Sequence, residues 1–315
     1  MGLVSQPTAA PRRGRFFRIV AAVAVLLALA GYVLVQYISG GGSGPRCTAQ
    51  GGDGTSYRLS PEQAVNAATI SAVGTSRGMP ERAVTIALAT ALQESELHNL
   101  DHGDRDSLGL FQQRPSQGWG TAKQVMDPVY ASGKFYEHLG KIHDYSRLPL
   151  TVAAQEVQRS GFPQAYAKQE PDAQLLAAAL TGRSPASFSC AATKSSLAGD
   201  PAAVRAALKR DFGSGVLPSG KSAQPSEVRL PVRTTTARAV GAPGTESVQQ
   251  RGWELAYWAV ANSAALHIQQ VSYAGQEWTA ATNHAPWRRT DTTQTVSTGR
   301  SAGQGATEVR IALTK

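Results

Sequence analysis

Glu94 stands where a carboxylic acid can do proton chemistry. It falls in the last turn of an apolar helical pattern. Ser95 follows directly, then a polar loop from His98 to Gly109 and the turn Gly109-Leu110-Phe111-Gln112. A carboxyl group at the end of an apolar helix is partly desolvated, which disfavours its charged form and raises its pKa. A general acid needs that shift to protonate a leaving oxygen near neutral pH. The loop adds carboxylates at Asp101, Asp104 and Asp106. One of them at a defined separation from Glu94 would complete a hydrolytic pair; the plainer use of such aspartates is turn chemistry. Counted from Asp104, a calcium loop has Asp106 and Gly109 in place, but Leu108 and Pro115 stand where two ligands are required. The amides of Gln112 and Gln113 suit N-acetyl groups, or the hydrogen bonds of the turn itself. Trp119, between Gly118 and Gly120, is of a type that stacks on a sugar ring or plugs a domain surface. The histidines show no H-x-x-H or H-E-x-x-H spacing, so no metal site is expected.

These groups need a scaffold, and the flanking sequence reads as helices. Ser60-Pro61-Glu62-Gln63 is a capping box with proline at the first helical position. The helix it opens carries Ala64, Val65, Ala68, Ile70 and Val73 and stops near Gly74 and Gly78. Pro80-Glu81 opens a second, in which Val84, Ile86, Ala87, Leu88, Ala91 and Leu92 leave most faces apolar. That predicts a core helix ending around Glu94, with Glu96 pointing away as a solvated charge. Asp127-Pro128 caps a helix to about His143, carrying Tyr130, Phe135, Tyr136, Leu139 and Ile142, and further helices are expected over 150–157 and 171–180. The region therefore reads as all-α with short connections. The only two cysteines, Cys47 and Cys190, bracket it. They are too far apart for a C-x-x-C redox or zinc pair. A disulfide between them would contribute about 4–5 kcal/mol by closing that loop, and it requires an oxidising compartment.

The landmarks also occur in a telling order. Glu94-Ser95, Asn99, the Gly-Leu-Phe-Gln turn and Pro115 resemble the signature of the lysozyme-like soluble lytic transglycosylases, in which a Glu-Ser pair ends a core helix and a Gly-Leu-Met-Gln turn follows. Asp127 to Leu139 (DPVYASGKFYEHL) looks like the Asp-led helix that comes next in that family. Ser160-Gly161 and Tyr166-Ala167 are similar to its closing segment. The resemblance covers residues 60–182 and implies a lysozyme-like domain over 55–190. It also implies an activity that needs no cofactor. Glu94 would be the acid on the β-1,4 bond between N-acetylmuramic acid and N-acetylglucosamine, then the base on the C6 hydroxyl, giving a 1,6-anhydro product. Ser95, Gln112, Gln113, Gln158 and Tyr166 become the expected substrate contacts, and peptidoglycan strands the expected partner. One departure stands out: the family's Tyr-Asn before Ser-Gly is Val157-Gln158 here. The missing tyrosine hydroxyl opens a second reading, a protein that holds glycan and cuts it weakly, with Gln158 replacing the Asn as a sugar-contacting amide.

The ends of the chain read differently. Residues 1–18 form an Arg-rich tail, and residues 19–38 are uncharged and nearly all apolar. A helix of that length spans a hydrocarbon core of about 30 Å. Arg12, Arg13, Arg15 and Arg18 precede it, so the positive-inside bias predicts a single-pass cell-membrane anchor with a cytoplasmic N-terminus and the rest extracytoplasmic. Cleavage after Ala28-Leu29-Ala30 is the competing reading. Residues 39–54 read as a Gly/Ser-rich tether, and 191–244 as a linker holding one short helix over 201–209. From 245 to 315 the period changes, with a helix over 251–266 and strands over 267–273, 276–280 and 309–313, giving a small α+β domain. Its sequence from Arg251 to Ala280, with Trp287-Arg288, bears a faint resemblance to D-alanyl-D-alanine carboxypeptidase-like modules. The stretches 228–240 and 307–311 lack the His and Asp ligands of those peptidases, which implies a non-catalytic module.

The fold class expected overall is mainly α: a transmembrane helix, a lysozyme-like all-α domain and the small α+β domain. A net charge of +9 reads first as general solubility plus the arginines beside the expected anchor, and second as attraction to a polyanionic surface such as a cell wall or membrane. No Lys/Arg cluster interleaves with aromatics, so nucleic acid is not an expected partner. A single span without an intramembrane ionisable residue offers no transport pathway.

Overall fold

The capping signals of the sequence close as hydrogen bonds in a computed structural model of the chain. It describes residues 45–159, 163–191, 195–218, 226–232, 247–280, 286–290 and 307–315, together with 22, 23, 25–27, 29 and 31. Strands β1 (Cys47–Gln50) and β2 (Ser56–Leu59) lead into helix α1 (Pro61–Ser76). The Ser60 hydroxyl accepts from the Gln63 amide N–H at 3.2 Å while the Gln63 side chain accepts from the Ser60 N–H at 2.8 Å. Helix α2 (Glu81–Ser95) follows and is buried from Ala83 to Leu92, the core helix that its apolar faces predict. Next come the short α3 (Ala122–Val125) and α4 (Pro128–Leu139), where Asp127 caps the N–H groups of Val129 and Tyr130. Helices α5 (Leu150–Gln158) and α6 (Glu170–Leu180) complete the bundle around α2, joined by a 3-10 turn over Pro163–Gln169.

The expectation of a mainly α chain is corrected. About 49% of the described residues are helical and 16% are in strand, and the strands form two antiparallel sheets. In the first sheet, β1 lies between β2 and β3 (Phe188–Cys190). Cys47 is the direct cross-strand neighbour of Cys190, and the two form a disulfide. These strands hide in the sequence because they are three or four residues long and Cys47 in β1 pairs with a residue 143 positions away. The stretch 39–54, read as tether, thus contains a strand.

The expected transmembrane helix is not among the described residues: none of their helices is long and apolar enough to cross a membrane. Most of segment 19–38 lies outside the described residues.

After β3 the chain forms α7 (Pro201–Phe212), β4 (Glu227–Pro231) and α8 (Val248–Ala261), then β5 (Ile268–Tyr273), β6 (Gln276–Thr279), β7 (Arg288–Arg289) and β8 (Glu308–Leu313). The second sheet has the order β4-β8-β5-β6-β7. Its period-2 pattern puts Val228, Leu230, Val271, Trp278, Val309 and Ile311 on one buried face. Helix α8 is buried from Arg251 to Ala261, and residues that packed as helix in the sequence reading, 262–266, are turn. Its aromatic side chains reach back to the first sheet. Tyr257 accepts from the Ser187 N–H at 2.9 Å and donates to the Ser184 carbonyl at 2.7 Å. Trp287 and Trp278 donate to the carbonyls of Phe188 (2.8 Å) and Cys190 (3.2 Å). Residues 45–315 make one compact unit.

Candidate functional site

Helix α2 ends in a pair of left-handed residues, and that ending aims Glu94. Glu96 (φ 52°) and Leu97 (φ 63°) turn the chain sharply. Their N–H groups return to the carbonyls of Leu92 (3.0 Å) and Ala91 (3.2 Å), which satisfies carbonyls that a helix end would leave orphaned. Glu96 itself is exposed, as its place after the apolar run predicts. Ser95 is buried, and its hydroxyl donates to the Leu110 carbonyl at 2.7 Å and to Ala91 within its own helix.

The Gly-Leu-Phe-Gln turn is built to be gripped. Leu108 and Gln113 pair through reciprocal 3.0 Å backbone hydrogen bonds, closing the turn between them. Gly109 has φ 77°, and a Cβ there would stand 2.4 Å from the Val125 carbonyl oxygen, so conformation and space both demand glycine. Phe111 is fully buried and stacks on Phe135 with ring centroids 4.8 Å apart. The Gln158 amide donates to the Phe111 carbonyl at 2.7 Å. Two consecutive carbonyls of the turn are thereby held, Leu110 by Ser95 and Phe111 by Gln158.

Glu94 sits half-buried beside this arrangement. The Tyr166 hydroxyl, on the 3-10 turn after α5, donates to its Oε1 at 2.6 Å. Burial pushes the Glu94 pKa up, against hydrogen bonds from Tyr166 and Gln158 that pull it down. The net shift is upward because desolvation outweighs the two donors. An oxygen already accepting from Tyr166 is the poorer seat for the acid's own proton, which goes to Oε2. Glu94 can therefore present a proton from one oxygen while a phenol steadies the other.

Of the sequence candidates, Glu94, Ser95, Gln158 and Tyr166 converge around the turn. Ser95 and Tyr166 do so from the interior, with Tyr166 fully buried. Gln112, in the turn with φ 46°, keeps partial exposure and hydrogen-bonds the carbonyls of His102 and Gly109 at 3.3 Å. Gln113 is buried and donates to the Ala131 carbonyl at 3.1 Å. Val157 is part of the apolar core, and Ser160-Gly161 lies outside the described residues. Two of the loop carboxylates, Asp101 and Asp106, are engaged locally. Asp106 accepts from Arg114 Nε and from the Ser116 N–H, both at 2.8 Å, and these bonds hold its pKa far below the usual carboxylate range. Asp101 is exposed and pairs with His102 at 2.8 Å. Trp119 stacks on His138 at 4.2 Å between ring centroids. Among the described residues no group of three or more His, Cys, Asp or Glu could hold a metal.

Sequence reasoning missed two amides. Gln63 and Asn66 on α1 donate to the carbonyls of Glu96 and Leu97, each at 2.8 Å. Asn66 left one readable signal, an amide among the alanines of a buried helix face. No protein-family model and no curated protein matches the chain.

Proposed function

We propose that this protein cleaves the glycan strands of peptidoglycan as a lytic transglycosylase, with Glu94 as its acid and base. The observation that carries the reading is the half-buried Glu94 carboxyl with its raised pKa, steadied by Tyr166 and set against the Gly-Leu-Phe-Gln turn. In the first step Glu94 gives a proton to the bridging oxygen as the C1–O4 bond breaks. In the second it takes the C6 hydroxyl proton as O6 closes on C1, which returns the acid to its starting form. Desolvation favours the protonated form needed first, and the donors Tyr166 and Gln158 favour the carboxylate needed next. A hydrolase would need a second carboxylate to handle water; Asp106, committed to Arg114 and Ser116, is poorly suited to that work. The partially exposed Gln112 is the favoured contact for an N-acetyl group. The substrate class and the disulfide together favour action outside the cytoplasm.

A second reading, a glycan-binding protein with little activity, is favoured by one observation. Val157 is buried and apolar where the resembled family carries a tyrosine hydroxyl. Mass spectrometry of fragments released from purified peptidoglycan separates the two. Anhydro-muropeptides support the transglycosylase, and reducing-end products mean a hydrolase. Sedimentation with peptidoglycan without any release would leave the binder.

A further inference from the structure

Helix α1 touches two things at once, and its polar side chains are divided between them. In its first two turns Gln63 and Asn66 hold the carbonyls of Glu96 and Leu97, the two left-handed residues that end the Glu94 helix. Residues with side chains adopt that backbone region only at a cost, and they persist in it where their surroundings hold them. Further along α1, two threonines turn to the C-terminal part of the chain. Thr69 donates to Asp211 Oδ2 at 3.2 Å, and the Thr75 hydroxyl donates to Glu254 Oε1.

Both carboxylates are buried, Asp211 at 2% exposure and Glu254 at 1%. Asp211 also accepts from Trp258 Nε1 and from Arg210 Nε, each at 2.7 Å. Glu254 pairs with Arg251 at 2.5 Å, and that guanidinium lies 4.6 Å from the centroid of the Phe212 ring. A buried carboxylate is costly unless its lone pairs are filled with good geometry. Two of them, on α7 and α8, each spend a lone pair on a hydroxyl of the same helix. That arrangement fixes the rotation of α1 and its position along its own axis more tightly than apolar packing would.

We infer that the C-terminal α/β part of the chain is a positioning device for Glu94, acting through α1. Asp211 and Glu254 grip Thr69 and Thr75, and α1 passes that alignment to the end of α2 through Gln63 and Asn66. The inference rests on the reading of Glu94 as the acid and base. It gives the C-terminal part a role in the rate of the reaction, in place of a role in capturing substrate.

The test is the full-length protein carrying Thr69→Val and Thr75→Val, which keep side-chain shape and remove only the hydroxyls. Serine at both positions restores the hydroxyls and serves as the rescue. If the double variant does not fold, the single variants carry the same readouts. Three quantities are read: kcat and KM on peptidoglycan, sedimentation with peptidoglycan, and the titration midpoint of Glu94 by carbon-13 NMR, assigned with Glu94→Gln. The expected result is a fall in kcat of about tenfold or more, the scale set by small misplacements of reacting groups, with KM and sedimentation unchanged. The Glu94 midpoint moves, and serine restores it together with the rate. Weakened sedimentation with kcat and the midpoint at wild-type values would overturn the inference and make the C-terminal part a binding module. Wild-type values throughout would also overturn it. If the wild-type protein releases no fragments, the proposed activity fails, and the Glu94 midpoint alone decides whether the threonine grip reaches the site.

Discussion

Removing the Cys47–Cys190 bridge should cost a large share of the stability of the folded unit. The two residues are 143 positions apart in sequence. In the chain-entropy relation, closing a loop of that length removes about 17 cal/mol/K from the unfolded ensemble, or about 5 kcal/mol at 25 °C. Whole domains are stable by only about 5–15 kcal/mol. The fold should nevertheless survive, because β1 stays hydrogen-bonded to both β2 and β3, and the Phe188 and Cys190 carbonyls stay held by Trp287 and Trp278. The perturbation is Cys47→Ala with Cys190→Ala, since both side chains are buried and alanine leaves no unpaired thiol. Urea unfolding followed by tryptophan fluorescence measures the loss. The melting temperature should fall by about 10–20 °C, at about 2–4 °C per kcal/mol for a unit of this size. A loss below about 2 kcal/mol would refute the reasoning that the bridge acts by restraining a long loop. So would two free thiols in the unreduced protein.

Three further substitutions probe the site and its support. Tyr166→Phe removes a donor that pulls the Glu94 pKa down, so that pKa rises further. Since the first step needs the protonated acid, the basic limb of kcat/KM against pH should move to higher pH; an unmoved limb would show that Tyr166 does not act on Glu94. Glu94→Gln should affect stability in a pH-dependent way. The folded pKa of Glu94 lies above its unfolded value, so the stability it contributes is fully present below the unfolded pKa and is lost as pH rises through the folded one. The glutamine variant should therefore melt higher than wild type at neutral pH and level with it near pH 4; scanning calorimetry at the two pH values checks the sign. Gly252→Ala should destabilise although it lies inside a helix. Alanine ordinarily gains about 1 kcal/mol there, but its methyl would stand 1.9 Å from the Tyr273 ring. The expected net loss is about 1–3 kcal/mol, read by urea unfolding, and a gain would contradict the packing of α8 on β5.

Helices were legible because their signals are local. The side chains of Ser60 and Asp127 satisfy backbone donors within a few residues, Pro80 supplies an extended residue directly before α2, and each marks an observed helix start to within a residue. Ends were harder to read. The pattern carried α8 to 266 where it stops at Ala261, and α4 to His143 where it stops at Leu139. Strands β5, β6 and β8 alternate visibly and were found. β1, β2 and β3 were not, because three or four residues carry too little period and Cys190 in β3 lies 143 positions from the Cys47 it pairs with. β4 (EVRLP) does alternate, with Val228 and Leu230 buried, but it lay among Gly, Ser, Pro and Thr and read as linker. At the site, Glu94 and the Gly109 turn were marked by the order of landmarks around them and the family resemblance those carry, since a glutamate at a helix end is a weak signal alone. The convergence of Tyr166 and Gln158 on them was only implied by resemblance. The role of Asn66 depends on a tertiary contact with Leu97, 31 positions away, that no local pattern encodes.

The central claim is that Glu94 carries the proton chemistry. It is tested most directly by comparing fragment release from peptidoglycan by the wild-type protein and by Glu94→Gln, with sedimentation confirming that both still engage the polymer. The account predicts anhydro-muropeptides from the wild type and a loss of release in the variant of at least about a hundredfold, the scale of a general acid, with sedimentation unchanged. Release by Glu94→Gln at the wild-type rate would contradict it.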